Sequence, residues 1–205
     1  MAVQYSITAM GCMIQQRAFN LFPPQYSMAQ GAGSKISGII DSGVLKAFGS
    51  AMATYCGQNY GAKRMDRIRA GMKSAVIVGG GLVVFSIAFV VGFAYPLAQL
   101  LIPKQSKDVY DLVFQYVTTQ ACFYPFLAMI YIYRESLQGI GRGVLAAFGG
   151  GIELIARVVS SFTIARIAFG WACFSNPSAW VSAGLFFIIA FFIVLRKEEK
   201  KQRED

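Results

Sequence analysis

Glu153 and Arg157 stand four residues apart in the segment Val144 to Trp171, which is otherwise almost wholly apolar apart from Arg166. On a helix this spacing puts carboxylate and guanidinium on one face, in the acid-before-base order that favours pairing. Two chemistries fit such a pair. It either locks the helix against its neighbours, or it anchors a polar cavity where substrate binds and a proton is exchanged. Asp41 poses the same question, with Lys46 or Lys35 as partners in sequence. Gln30, Ser34, Ser37 and Asp41 recur at i, i+4, i+7 and i+11, which is one polar stripe along a helix. Tyr131, Arg134 and Gln138, at i, i+3 and i+7, share another face. There Arg134 either snorkels to an interface or lines a pathway.

Other chemistries are excluded or unsupported. The sequence has no His, so His triads, His metal sites and His proton relays are impossible. Cys12, Cys56, Cys122 and Cys173 are too scattered for a disulfide framework or a zinc site. Gly79-Gly80-Gly81 and Gly149-Gly150-Gly151 do not fit a phosphate-binding fingerprint, and Gly139-Ile140-Gly141-Arg142 lacks the Lys-Ser or Lys-Thr of a P-loop. Helix packing explains the two triple-glycine runs better, and Gly139 to Arg142 reads as a short helix-helix turn. No nucleophile-base pair can be drawn, so no enzyme, metal or cofactor is expected.

The elements that position these groups must lie in lipid. Of 205 residues 56% are apolar and 14% charged, and the mean hydropathy is +0.51. The predicted fold is an all-α integral membrane protein, a six-helix bundle with spans over about 2–22, 27–60, 74–102, 110–137, 144–170 and 178–196. Residues 197–205 form a charged tail. Ser74 to Ile102, Leu112 to Tyr133 and Ala179 to Leu195 meet the length requirement unaided. The segment 27–60 is too long for a ~30 Å core, and a break near Gly49 or Gly57 is expected. Pro125 should kink its helix.

The net charge of +9 does not imply nucleic acid, because the basic residues flank apolar runs. Lys63, Arg64, Arg67, Arg69 and Lys73, then Arg142, then Arg196, Lys197, Lys200, Lys201 and Arg203 fall on one side of the bilayer, and Lys104 and Lys107 on the other. The positive-inside rule puts the N-terminus and the tail in the cytoplasm, in a plasma (inner) membrane protein. Trp171 and Trp180 then read as interfacial anchors of an outer turn.

Three stretches carry a family resemblance. Met52 to Ala62, with Ala53-Thr54, Gly57-Gln58-Asn59 and Gly61-Ala62, followed by Arg67-Ile68-Arg69, resembles the "A-T-x-x-G-Q-N-x-G-A" segment and basic loop of multidrug and toxic compound extrusion (MATE) transporters. Arg134 to Gly141 is similar to that family's turn between the fourth and fifth helices of its C-terminal lobe. Gly151-Ile152-Glu153-Leu154-Ile155-Ala156-Arg157 is similar to the "G-x-x-E-x-x-x-R" of the next helix.

The resemblance implies the C-terminal six-helix lobe of a twelve-helix transporter, completed by a missing N-terminal lobe or by a second copy of the chain. It implies cation-coupled antiport, driven by H+ or Na+, that exports small organic or cationic compounds across the lipid bilayer. Two alternatives stand beside it: a lipid or polysaccharide flippase with a more basic groove made by Lys35, Arg134 and Arg157, and a non-transporting scaffold or truncated remnant. Where some relatives carry an acidic residue in the first helix of this lobe, this chain has Gln4. No Asp or Glu lies between Leu112 and Tyr133 or between Phe174 and Leu195, so Asp41 and Glu153 remain as local coupling groups. The expected substrate or ion pathway is Gln4, Gln30, Ser34, Asp41, Tyr131, Arg134, Gln138, Glu153 and Arg157.

Overall fold

A computed structural model describes residues 2–163 and 168–204, with side chains for residues 6–163 and 168–201. Arg166 and the Gln4 side chain fall outside the described residues. The described chain is helical and contains no strand. The helices are α1 (Ala2–Phe19), α2 (Pro24–Gly38), α3 (Lys46–Gly61), α4 (Met65–Leu101), α5 (Lys107–Cys122), α6 (Tyr124–Gly139), α7 (Gly143–Thr163), α8 (Phe169–Ala172) and α9 (Ser175–Glu204). Three stretches are long and apolar enough to cross a membrane by composition alone: Met65–Leu101, Gly143–Thr163 and Phe169–Lys201.

Two rods in the bundle are interrupted, and both interruptions matter for the polar interior. Between α2 and α3 the chain widens into a π-helical segment, Ile39–Leu45, that carries Asp41. The expected break at Gly49 or Gly57 is not there: α3 runs unbroken through both. Those glycines serve close packing instead. A Cβ on Gly49 would lie 3.0 Å from the Tyr131 carbonyl oxygen, and one on Gly57 would lie 3.0 Å from that of Gly139. The second interruption is at Phe123, where α5 ends and α6 begins. Pro125 occupies the first turn of α6, the one place where its missing N–H costs no helical bond. This is why 112–133, expected as one span kinked at Pro125, is two helices.

The interrupted rods lie side by side and parallel, α2 against α5 and α3 against α6. The register is read from close approaches: Gly33 meets the Tyr116 ring, Gly49 meets Tyr131 and Gly57 meets Gly139. Helices can approach this closely only across small residues, the usual device for packing in a bilayer. Gly139 is the tightest point of this pairing, since a Cβ there would collide with the backbone of Ala53. Gly139→Leu is therefore expected to destabilise the fold by at least about 1 to 3 kcal/mol, while Gly80→Leu, where a Cβ meets nothing within 4 Å, should be near neutral. Thermal unfolding in detergent compares the two.

α7 packs between α1 and α9, and α9 runs parallel to α6, with Tyr124 against Trp180 at one end and Tyr133 against Phe191 further along. At one end of the bundle Phe19, Phe22, Tyr26, Tyr116 and Phe169 form an aromatic cluster with centroids 5.0 to 6.4 Å apart. Trp171 is exposed nearby, but Trp180 is buried in the core rather than acting as a surface anchor. It packs 6.3 Å from the Tyr124 ring.

The opposite end carries the basic residues, and much of what reads as a basic loop is helix. α4 begins at Met65, so Arg67, Arg69 and Lys73 project from its first turns. The charged tail is also helical, continuing α9. Its acidic residues tie neighbouring elements together: Glu198 pairs with Arg142 in the α6–α7 turn and accepts the Tyr60 hydroxyl at 3.0 Å, and Glu199 pairs with Arg69 at 2.9 Å.

The hydrogen bond from Arg142 holds the Glu198 carboxyl below its ordinary value of 4.5, and Tyr60 adds to the effect. A depressed folded-state pKa gives stability that is present above the unfolded value and lost as pH falls through the folded one. Acidification below about pH 4.5 should therefore loosen this end, and Glu198→Gln should remove that part of the acid sensitivity. Melting temperatures measured from pH 3 to pH 7 check it.

Candidate functional site

The polar residues of seven elements converge on one cavity of about 400 Å³. Helix α1 contributes Cys12, Gln15 and Gln16; α2 contributes Gln30, Ser34 and Ser37; and the π-helical segment adds Asp41. Tyr116 and Gln120 come from α5, Tyr124 from α6, Arg157 from α7, and Asn176 and Trp180 from α9. Gly31 and Gly38 also line it, and a Cβ on either would meet nothing within 4 Å, so these two glycines open space rather than close a contact.

On the wall, Gln30 Nε2 donates to Ser34 Oγ at 3.0 Å, Ser34 Oγ lies 3.1 Å from the Tyr116 hydroxyl, and Asn176 Nδ2 donates to that hydroxyl at 3.4 Å. Gln120 is 1% exposed and donates to the Cys173 carbonyl at 2.9 Å. Several polar atoms around the cavity have no hydrogen-bond partner among the described residues: Gln15 Nε2, Gln30 Oε1, Gln120 Oε1 and Arg157 Nε. Their side chains are all at least nine-tenths buried. A buried polar atom left without a partner costs about 1 to 3 kcal/mol, so four around one space mark it as built for a polar or charged guest or for water.

An ionic chain runs from this cavity toward the basic end. The Tyr131 hydroxyl donates to Asp41 Oδ1 at 2.6 Å, from α6 to the π-helical segment. The Arg134 guanidinium sits 4.8 Å above the Tyr131 ring and pairs with Glu135 at 3.1 Å. Glu153 lies close enough to Arg157, Arg134 and Asp41 for all three to act on its charge. Its contact with Arg157 is loose, at 3.9 Å, and Arg157 Nη1 donates instead to Cys12 Sγ at 3.0 Å. The π-helical turn is what makes this possible. Widening the backbone at residues 39–45 turns Asp41 toward α6, and such π segments recur at functional sites.

Of the pathway residues read from sequence, the cavity gathers Gln30, Ser34, Asp41 and Arg157. Tyr131, Arg134 and Glu153 stand behind it in the ionic chain. Gln138 does not line the cavity; it lies one turn beyond Arg134 toward the basic end. Arg134 does not snorkel, since its side chain is only 11% exposed. Lys35 faces outward, while Asp41 is hydrogen-bonded to Tyr131.

Sequence reading missed Gln15, Tyr116, Gln120 and Trp180. Tyr116 and Gln120 carried a usable signal, two polar groups at i and i+4 in an apolar run.

The family model described as MatE matches residues 2–163. Among solved structures, the chain is similar to a MATE protein crystallised in the straight conformation, with 15% identity and a TM-score of 0.76, covering 91% of this chain and 42% of that one. It is similar to the outward-facing conformation of a multidrug resistance MATE family transporter of the MOP superfamily, with 13% identity and a TM-score of 0.77, covering 91% and 42%. A third is a MOP superfamily transporter from Pyrococcus furiosus, described by a reversed polarity of its binding pocket that suggests a different function, with 12% identity and a TM-score of 0.71, covering 90% and 41%. The chain therefore spans about two fifths of the length of these structures. Among the curated proteins none matches.

Proposed function

The chain belongs to the MatE family of membrane transporters, and on that premise we propose that its polar cavity is a binding site for small organic cations exported in exchange for H+ or Na+. One observation carries the reading: a cavity of about 400 Å³ edged by buried amides that each leave one polar atom without a partner among the described residues, with the Asp41 carboxylate in its wall. The rings of Tyr116, Tyr124 and Trp180 line the same space, and aromatic faces attract cations. Asp41 then serves guest and coupling ion in turn. When H+ or Na+ neutralises the carboxylate the organic cation loses its counter-charge, and when the organic cation is bound the ion is excluded. That mutual exclusion is what antiport requires.

Because the chain spans about two fifths of the length of the solved transporters it resembles, this reading has it supply one wall of the pathway, in a multi-pass protein whose basic end faces the cytoplasm. A flippase reading finds less support, because Lys35 faces outward and Arg134 is paired with Glu135.

The test uses the two tryptophans. Trp180 lines the cavity and Trp171 is exposed, so Trp171→Phe leaves one reporter. Titrating a lipophilic cation should quench Trp180, and raising H+ or Na+ should reverse the quench. A quench indifferent to both ions would remove the coupling role, and no quench would remove the site.

A further inference from the structure

We infer that the groove between α4 and α9 at the basic end is a binding site for an anionic phospholipid. The groove holds about 560 Å³ and is apolar along its length, with Val76, Ile77, Phe192 and Leu195 among its lining. Cations sit at its mouth: Arg69, Lys73 and Arg196. The Arg69–Glu199 pair fixes the antiparallel register of the two helices. Counting inward from it, four residues along α4 and three back along α9, brings Lys73 level with Arg196, and below them Val76 level with Phe192. Two cations thus stand side by side above an apolar trough, the arrangement that takes a phosphate headgroup at the interface and an acyl chain beneath it.

The charge balance selects this groove over its neighbour. A similar groove of about 580 Å³ lies between the start of α7 and α9, with Arg142 and Lys197 at its mouth. There Arg142 is held by Glu198, and among the described residues only Lys197 at that mouth has no ion-pair partner. In the α4–α9 groove Arg69 is held by Glu199, yet Lys73 and Arg196 are exposed and have no ion-pair partner among the described residues. An anionic headgroup would supply one. A zwitterionic lipid brings its own cation and gains less.

Native mass spectrometry of the protein extracted from vesicles of equal phosphatidylglycerol and phosphatidylcholine content tests this. The wild type should retain phosphatidylglycerol over phosphatidylcholine by about thirty-fold, about fivefold for each of two interfacial cations. Lys73→Gln with Arg196→Gln should abolish the preference, while Lys73→Arg with Arg196→Lys, which keeps both charges, should preserve it and guards against a folding defect. Equal retention of the two lipids by the wild type would overturn the inference. So would a preference that survives in the Gln pair, or one lost equally in the charge-conserving pair.

Discussion

Removing the Arg157 side chain, as Arg157→Ala, is expected to destabilise the lobe by about 3 kcal/mol or more, the largest loss of any single substitution in the polar interior. Arg157 is 6% exposed and Glu153 5%, so deleting the guanidinium leaves a buried carboxylate with a weaker set of neighbours. Breaking a buried pair from one side costs about 3 to 5 kcal/mol, much more than the pair itself contributes. Arg134 also acts on Glu153, which places the expected loss at the low end of that range. Glu153→Gln combined with Arg157→Ala should recover part of it. Thermal unfolding of the two variants in the same detergent decides; equal losses would mean that Glu153 is not held by Arg157 in the folded state.

The second large effect concerns coupling. Asp41→Asn keeps the size of the side chain and an acceptor for the Tyr131 hydroxyl, so the fold should persist with a loss of about 1 kcal/mol. Ion-driven movement of substrate should nevertheless fall by about tenfold or more, because a coupling free energy of about 1 to 3 kcal/mol between the two ligands disappears with the charge. Tyr131→Phe should give a milder version, since the carboxylate remains but loses the donor 2.6 Å away. If Asp41→Asn left gradient-driven flux intact, coupling would have to reside outside this carboxylate.

The polar stripe Gln30, Ser34 and Asp41 was legible because helical periodicity survives in sequence whatever the helix packs against. Its counterpart on α5 was not read, because Tyr116 and Gln120 share their run with Gln115, Thr118 and Thr119, and spacing alone does not say which of these turn inward. Only the parallel pairing of α2 with α5 turns those two inward. Gly49 and Gly57 read as helix breakers for a similar reason. Sequence records the absence of a side chain, but not whether the missing Cβ frees the backbone or admits a neighbour, and here Tyr131 and Gly139 fill the space. The π-helical turn at 39–45 had no local signal beyond its flanking glycines.

Sequence leaves the partners of charged residues open, whether they lie next in the chain or far along it. Arg134 in isolation suggests a snorkelling side chain, and Glu198 in a basic tail suggests nothing. The first is held over Tyr131 and against Glu135, and the second joins α9 to Arg142 and Tyr60 across the basic end. The motif segments fared better, because their spacing encodes the close contact between α3 and α6.

The most direct test of the transport reading is flux. The protein, reconstituted from its native membrane with everything that copurifies, should accumulate a fluorescent organic cation in proteoliposomes when an H+ or Na+ gradient is imposed. Collapsing the gradient should release the dye, and Asp41→Asn should cut its accumulation by about tenfold or more. Dye uptake that ignores both gradients, or no uptake by a folded, correctly inserted preparation, would contradict the account.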